Sequence, residues 1–184
     1  METLKFMIKR ITLSVLILLF MAGVISGCLE KGESLTPEQY LQAKLNSVDK
    51  TRLAAETKVI DDSLQLWGIK TEYFSELNGV RYRIQTLGSG PKPVLRSMLK
   101  LKYEGRLFSD STVFEQQDNY TSYLYDLLVG MQTTLPLLNE GTKATLIIPS
   151  AIAFGNVDVR NSSNVLIVPK NSTLIFHLEM LDVQ

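Results

Sequence analysis

The order of apolar and polar positions changes character twice along the chain. From Ile11 to about Ile25 (ITLSVLILLFMAGVI) no residue is charged and most are apolar. From Leu41 onward the apolar residues take helical spacing: Leu41, Leu45 and Val48, then Leu53, Ile60, Leu64 and Trp67, with Asp61 and Asp62 off the stripe. From about residue 79 the period is two. Val80, Tyr82 and Ile84 alternate with Arg81 and Arg83, and Leu99, Leu101 and Tyr103 alternate with Lys100 and Lys102.

The helical stretch carries its own start and stop signals. Thr36-Pro37-Glu38-Gln39 supplies an N-cap, a proline at the first helical position and a glutamine placed to complete a capping box. Gly68 ends the stripe, and Ser47-Val48-Asp49 can divide it into two helices. The polar face mixes both charge signs, unlike the strongly basic face of a membrane-surface helix. Residues 36–70 therefore read as an amphipathic arm that packs on its own domain or on a second copy in a homodimer.

The alternating half predicts further short strands at Thr112–Phe114, at Lys143–Ile148 before Pro149, and at Leu174–Met180. One short helix is predicted over Asp126–Leu138, closed by Asn139-Glu140-Gly141. Strands at this spacing with a single helix predict an α+β domain over 78–184, an antiparallel sheet wrapped around the helix. The loop from Asn156 to Ile167 is predicted to overhang whatever site that domain carries.

The uncharged run sits behind Lys5, Lys9 and Arg10 and exits through Ser26-Gly27 into Cys28, the one cysteine among 184 residues. A basic start, an apolar run and a small-residue exit describe a secretory signal over 1–27. Ile25-Ser26-Gly27-Cys28 is similar to a bacterial lipobox, which implies acylation of Cys28, a lipidated tether over 28–35 and an address in the bacterial cell envelope. Leu29, standing where an aspartate would mark inner-membrane retention, favours the outer membrane. The alternative is an uncleaved anchor, since about 17 residues lie at the lower limit for a span. A single cysteine allows no internal disulfide.

Charge and chemistry remove other classes. Nineteen basic and nineteen acidic side chains give a formal charge of zero, so no net field invites nucleic acid. The one histidine, His177, falls on the polar face of the last strand, without a His or Cys neighbour for a metal site or a Ser-His triad. No glycine-rich phosphate loop follows a strand. Asp61-Asp62 and Glu179 with Asp182 read as solvated faces, not as paired catalytic carboxylates.

What remains is aromatic and aliphatic, in an ordered series. Leu101-Lys102-Tyr103-Glu104-Gly105-Arg106-Leu107, Val113-Phe114-Glu115, Leu127-Leu128-Val129-Gly130, Gly141-Thr142-Lys143-Ala144, Ile148-Pro149 with Ala153-Phe154-Gly155, and Val168-Pro169-Lys170-Asn171-Ser172-Thr173-Leu174-Ile175-Phe176 follow one another. Over 78–184 this series resembles the FKBP-type peptidyl-prolyl cis-trans isomerases, specifically their envelope lipoproteins with an N-terminal helical arm. The resemblance implies an FKBP-like fold and rotation of X–Pro peptide bonds in proline-containing or unfolded polypeptides, with no cofactor and no metal. It implies a pocket of Tyr103, Phe114, Glu115, Leu127, Leu128, Met131, Phe154, Val168 and Phe176, with Tyr123 as a further aromatic near the substrate. Three positions depart from the family pattern. Met131 stands where a tryptophan is typical, Glu115 where an aspartate is, and Phe154 where a tyrosine hydroxyl usually meets the peptide carbonyl. The Asp-Gly turn before the phenylalanine is replaced by Ser109-Asp110-Ser111. A binding module of the same fold without turnover, or a structural lipoprotein using its arm for association, are the alternatives.

Overall fold

The capping box read from Thr36-Pro37-Glu38-Gln39 is complete in the computed structural model, which describes residues 34–184. Thr36 Oγ1 accepts from Gln39 N at 3.2 Å, and Gln39 Oε1 accepts from Thr36 N at 2.8 Å. Helix α1 follows over Pro37–Ser47, then α2 over Lys50–Leu66. The break falls at Val48-Asp49, where Val48 is extended and Asp49 caps α2 by accepting from Arg52 N at 3.0 Å. Gly68, at φ 73°, closes α2 in the left-handed region. Among the described residues no helix is long and apolar enough to cross a membrane. Cys28 and the apolar run before it lie outside the described residues.

The second half forms the strands β1 (Phe74–Ser75), β2 (Arg81–Thr86), β3 (Met98–Leu107), β4 (Val113–Tyr123), β5 (Lys143–Ile148), β6 (Val159–Arg160), β7 (Leu166–Val168) and β8 (Leu174–Val183). Six of them make one antiparallel sheet in the order β1-β2-β5-β8-β3-β4, and β6 pairs with β7 separately. The fold is therefore α+β with an antiparallel sheet, as the periodicity predicts.

Two elements differ from the pattern reading. The helix predicted over Asp126–Leu138 shrinks to α3, Val129–Thr134, between the 3-10 turns Leu124–Asp126 and Leu135–Leu137. Leu127 and Leu128 are extended, and Pro136 has no N–H to continue the α ladder. The strand predicted at Thr112–Phe114 becomes the eleven-residue edge strand β4. Its run EQQDNYTS has no apolar alternation because almost every side chain faces solvent, which suits an edge.

The sheet buries both faces, unequally. On the inner face Leu99, Leu101, Leu146, Ile148, Leu174 and Phe176 meet Met131 and Leu135 from the α3 segment. Gly130 sits where α3 touches β5, since a Cβ there would lie 2.5 Å from Ile148 Cγ2. On the outer face Ile147 pairs with Ile175, and Ile60 and Leu64 of α2 cover them. Burying those two helix side chains stabilises the contact by about 1.5–3 kcal/mol each. Arg81 follows Val80, which faces the core, and so leaves β2 on the outer side. There its Nε and Nη2 donate to Asp61 at 2.8 and 2.9 Å. Asp61 is thus not part of a solvated face; it ties α2 to the sheet, and only exposed Asp62 answers the sequence reading, pairing with Lys58. His177 is exposed as expected, with Nδ1 2.9 Å from Thr145 Oγ1.

Candidate active site

Between α3 and the inner face of β3, β4 and β8 lies a pocket of about 180 Å³. Its wall is a chain of edge-to-face aromatic rings. Tyr120 meets Tyr103 at 5.6 Å, Tyr103 meets Phe176 at 5.9 Å, and Phe176 meets Phe114 at 5.8 Å. Alternation alone does not put Phe114 there. In the β3–β4 ladder Gly105 pairs with Glu115 and Arg106 with Val113, so Phe114 is bulged out of register and its ring turns inward. The ring comes to lie over Gly105, where a Cβ would sit 2.5 Å from Phe114 Cζ and 3.1 Å from Phe176 Cε1. Gly105 is therefore a glycine because the pocket phenylalanine occupies the space of its side chain.

The turn feeding this bulge uses a strained residue. Ser111 has φ 62°, a conformation a glycine would take without strain. Asp110 Oδ1 accepts from Thr112 N at 2.9 Å and stabilises the turn. Glu115 follows the phenylalanine into the pocket lining beside Tyr103. Burial, and then the Glu115 carboxylate, push the Tyr103 phenol well above its ordinary range. Tyr103 thus stays protonated and keeps a hydrogen to donate.

The opposite wall is Leu127 and Leu128, with Met131 one turn further at 5% exposure. Gln132 Nε2 holds this rim by donating to Tyr125 O at 2.9 Å and Leu127 O at 2.7 Å. The third side is the corner after β5. Pro149 ends the strand, Ser150–Ile152 makes a 3-10 turn, and Gly155 at φ 62° donates its N–H to Ser150 O at 2.8 Å. This turn brings Phe154 to the pocket edge. The corner is clamped from behind by α2. Glu56 Oε1 accepts from the Ser150 hydroxyl at 2.5 Å, and Glu56 Oε2 from Ala151 N at 3.0 Å. Arg52 completes the cluster by pairing with Glu56 at 2.8 Å and donating to Ser150 Oγ.

Eight of the residues singled out from sequence therefore line one pocket: Tyr103, Phe114, Glu115, Leu127, Leu128, Met131, Phe154 and Phe176. Two do not. Val168 is buried in the core at 1% exposure without reaching the pocket, and Tyr123 is exposed and stacked on Tyr125 at 5.0 Å. Tyr120 takes the aromatic place instead, together with Leu101, Leu178 and Asp126. Tyr120 and Tyr123 are three residues apart, so a continuous strand sends them to opposite faces; knowing that β4 extends this far would have separated them. The pocket lining includes none of residues 156–167, whose polar turn closes the β6–β7 hairpin. Among the described residues the lining offers two carboxylates, Glu115 and Asp126, and no histidine, cysteine, serine or lysine.

An antiparallel sheet on one short helix, with an aromatic pocket between them, defines a protein class, and comparison with known proteins agrees. Residues 90–181, half of the chain, match the FKBP-type peptidyl-prolyl cis-trans isomerase family, and the chain belongs to that family. It is 26% identical over 176 residues to the FKBP-type peptidyl-prolyl cis-trans isomerase FkpA of Aeromonas hydrophila, covering 88% of this chain and 63% of the relative. It is 28% identical over 181 residues to FkpA of Buchnera aphidicola subsp. Schizaphis graminum, covering 91% and 68%. The chain thus spans under two thirds of the Aeromonas protein's length. Among solved structures, FkpA from Escherichia coli superposes with a TM-score of 0.59 at 25% identity, covering 78% of this chain and 64% of that one. A peptidyl-prolyl cis-trans isomerase from Pseudomonas syringae shares the fold, with a TM-score of 0.58 at 24% identity, covering 83% and 99%.

Proposed function

We propose that the chain accelerates cis-trans rotation about X–Pro bonds in polypeptides, using the aromatic pocket without a cofactor. The observation that carries this reading is the chain of edge-to-face rings of Tyr120, Tyr103, Phe176 and Phe114 facing Leu127, Leu128 and Met131. Amide resonance sets a barrier of about 18–20 kcal/mol to the rotation. The twisted amide has lost that resonance and part of its dipole, so an apolar, dewatered wall favours it over the planar ground state. Backbone and phenol hydrogen bonds then hold the flanking chain, with the Tyr103 hydroxyl as one donor. No nucleophile or proton shuttle is required, which suits the composition of this lining.

The departures bear on rate. Met131 fills the floor with an adaptable thioether and gives no flat indole platform. Phe154 offers no hydroxyl to a peptide carbonyl, which removes about 1 kcal/mol of hydrogen bonding. Both support slow turnover, and they also favour the second reading, a binding module that holds proline-containing or unfolded chains. A protease-coupled assay with X–Pro tetrapeptides separates the two: rates at the buffer background leave only binding.

We further infer that Cys28 carries a lipid that tethers the chain in the bacterial envelope, on the outer membrane. The support is the sequence Ile25-Ser26-Gly27-Cys28 behind an uncharged run. Cys28→Ser should release the protein from membranes; continued membrane association would point to an uncleaved anchor. Homodimerisation through residues 36–70 is supported by exposed Val59, Leu66 and Trp67 on and beside α2. Because Ile60 and Leu64 of that helix are core residues, the test is sedimentation of the intact chain over concentration, not a deletion.

A further inference from the structure

A second, larger cleft of about 500 Å³ opens beside the proline pocket. One wall is Tyr40, Lys44 and Ser47 of α1 with the Val48-Asp49 break; the other is the Tyr125–Val129 rim; the corner Ala151–Gly155 also lines it. Asp126, Leu127, Leu128 and Phe154 line both spaces, so the pocket and the cleft share a border. We propose that this cleft is a subsite for the polypeptide flanking the isomerised proline. The proposal rests on the isomerase reading for what sits in the pocket and extends it to the chain beyond.

The chemistry of the walls suits a polypeptide better than a charged small molecule. Lys44 and Arg52 are balanced by Asp49 and Asp126, and two of these four are already engaged: Arg52 with Glu56, Asp49 as the cap of α2. No net charge is left to select an ion. Lys44 instead lies over the Tyr40 ring at 5.2 Å, giving a broad amphipathic surface. Gln132, buried at 5% exposure, lines the cleft with Oε1 unpaired among the described residues, while its Nε2 is committed to the rim. That acceptor is shielded from solvent, so the amphipathic Tyr40–Lys44 wall and the border shared with the proline pocket carry the match to a polypeptide. The helices are thereby part of the substrate surface. Glu56 fixes the corner that forms the cleft's border, and the α1–α2 break supplies its far wall.

The test uses the full chain and two labelled peptides with the same Xaa-Pro core, one a tetrapeptide and one extended by several residues on each side. Binding is followed by fluorescence anisotropy. The extended peptide is expected to bind roughly tenfold more tightly than the short one. Ser47→Trp places an indole in the cleft from an exposed position, and Tyr40→Ala removes an aromatic wall; each should bring the ratio of the two affinities towards one. Equal affinities in the unaltered chain, as would follow if another segment of the chain already fills the cleft, overturn the proposal. So does a ratio that neither variant changes. Turnover of the tetrapeptide is scored separately. Turnover without a length preference leaves the isomerase reading standing and removes the subsite. A length preference abolished by Ser47→Trp, without turnover, does the reverse.

Discussion

Glu56→Ala removes one carboxylate and strands three partners. The Ser150 hydroxyl is fully buried and loses its acceptor at 2.5 Å; the Ala151 N–H loses its own at 3.0 Å. A buried donor left unmatched costs about 1–3 kcal/mol. Arg52 loses its ion partner, but both side chains keep some solvent access, so that part is worth at most about 1 kcal/mol. The expected destabilisation is about 3–5 kcal/mol, a large share of a small domain's stability. Glu56→Gln retains one carbonyl oxygen and should cost about half as much. Urea unfolding can be read through Trp67, the one tryptophan, which sits beyond α2 with its ring 5.5 Å from Phe108. Hydrogen exchange at the Ala151 amide supplies the local readout and should speed up in both variants. A Glu56→Ala chain within about 0.5 kcal/mol of the parent, with Ala151 exchange unaltered, would refute the clamp as the anchor of this corner.

Gly105→Ala should force the Phe114 ring off its present site, cost about 1–3 kcal/mol in overpacking and weaken prolyl peptide binding; calorimetry and peptide titration check both. The Arg81 guanidinium holds the Asp61 carboxyl below the usual aspartate range, so the tie to α2 is intact above about pH 4 and is lost as pH falls through the lowered value. Trp67 fluorescence during acid titration should report that loss, and Asp61→Asn should abolish its pH dependence. Phe154→Tyr should raise turnover about fivefold if the added hydroxyl gains about 1 kcal/mol in the transition state, and Met131→Trp should raise it too; steady-state kinetics on tetrapeptides decide both.

Much of this molecule is legible in its sequence because its signals are local. The capping box at Thr36, the strand end at Pro149 and the alternation of Leu99, Leu101 and Tyr103 each depend on neighbours within a few residues. The pocket residues were legible through family motifs, not through chemistry: nothing in the spacing of Phe114 says that a bulge turns it inward. What stayed hidden is contact between distant segments. The tie between Asp61 and Arg81 spans twenty residues, and the clamp from Glu56 to Ser150 spans ninety-four. Both partners of each look like ordinary polar residues until the sheet brings them together. Strand β4 stayed hidden for another reason, since an exposed edge strand carries no apolar alternation.

The proposed rotation of X–Pro bonds in the aromatic pocket uses neither carboxylate of its lining, Glu115 or Asp126, as an acid or a base. Exchange NMR on an Ala-Xaa-Pro-Phe peptide with the full chain measures that rotation directly. Cis-trans exchange should be faster than in buffer and nearly constant between about pH 6 and pH 9, because no titrating group acts in the step. Phe114→Ala, which opens the wall beside Phe176, should return exchange to the buffer rate. Exchange no faster than in buffer with the unaltered chain, or unchanged acceleration in Phe114→Ala, would contradict the proposed rotation.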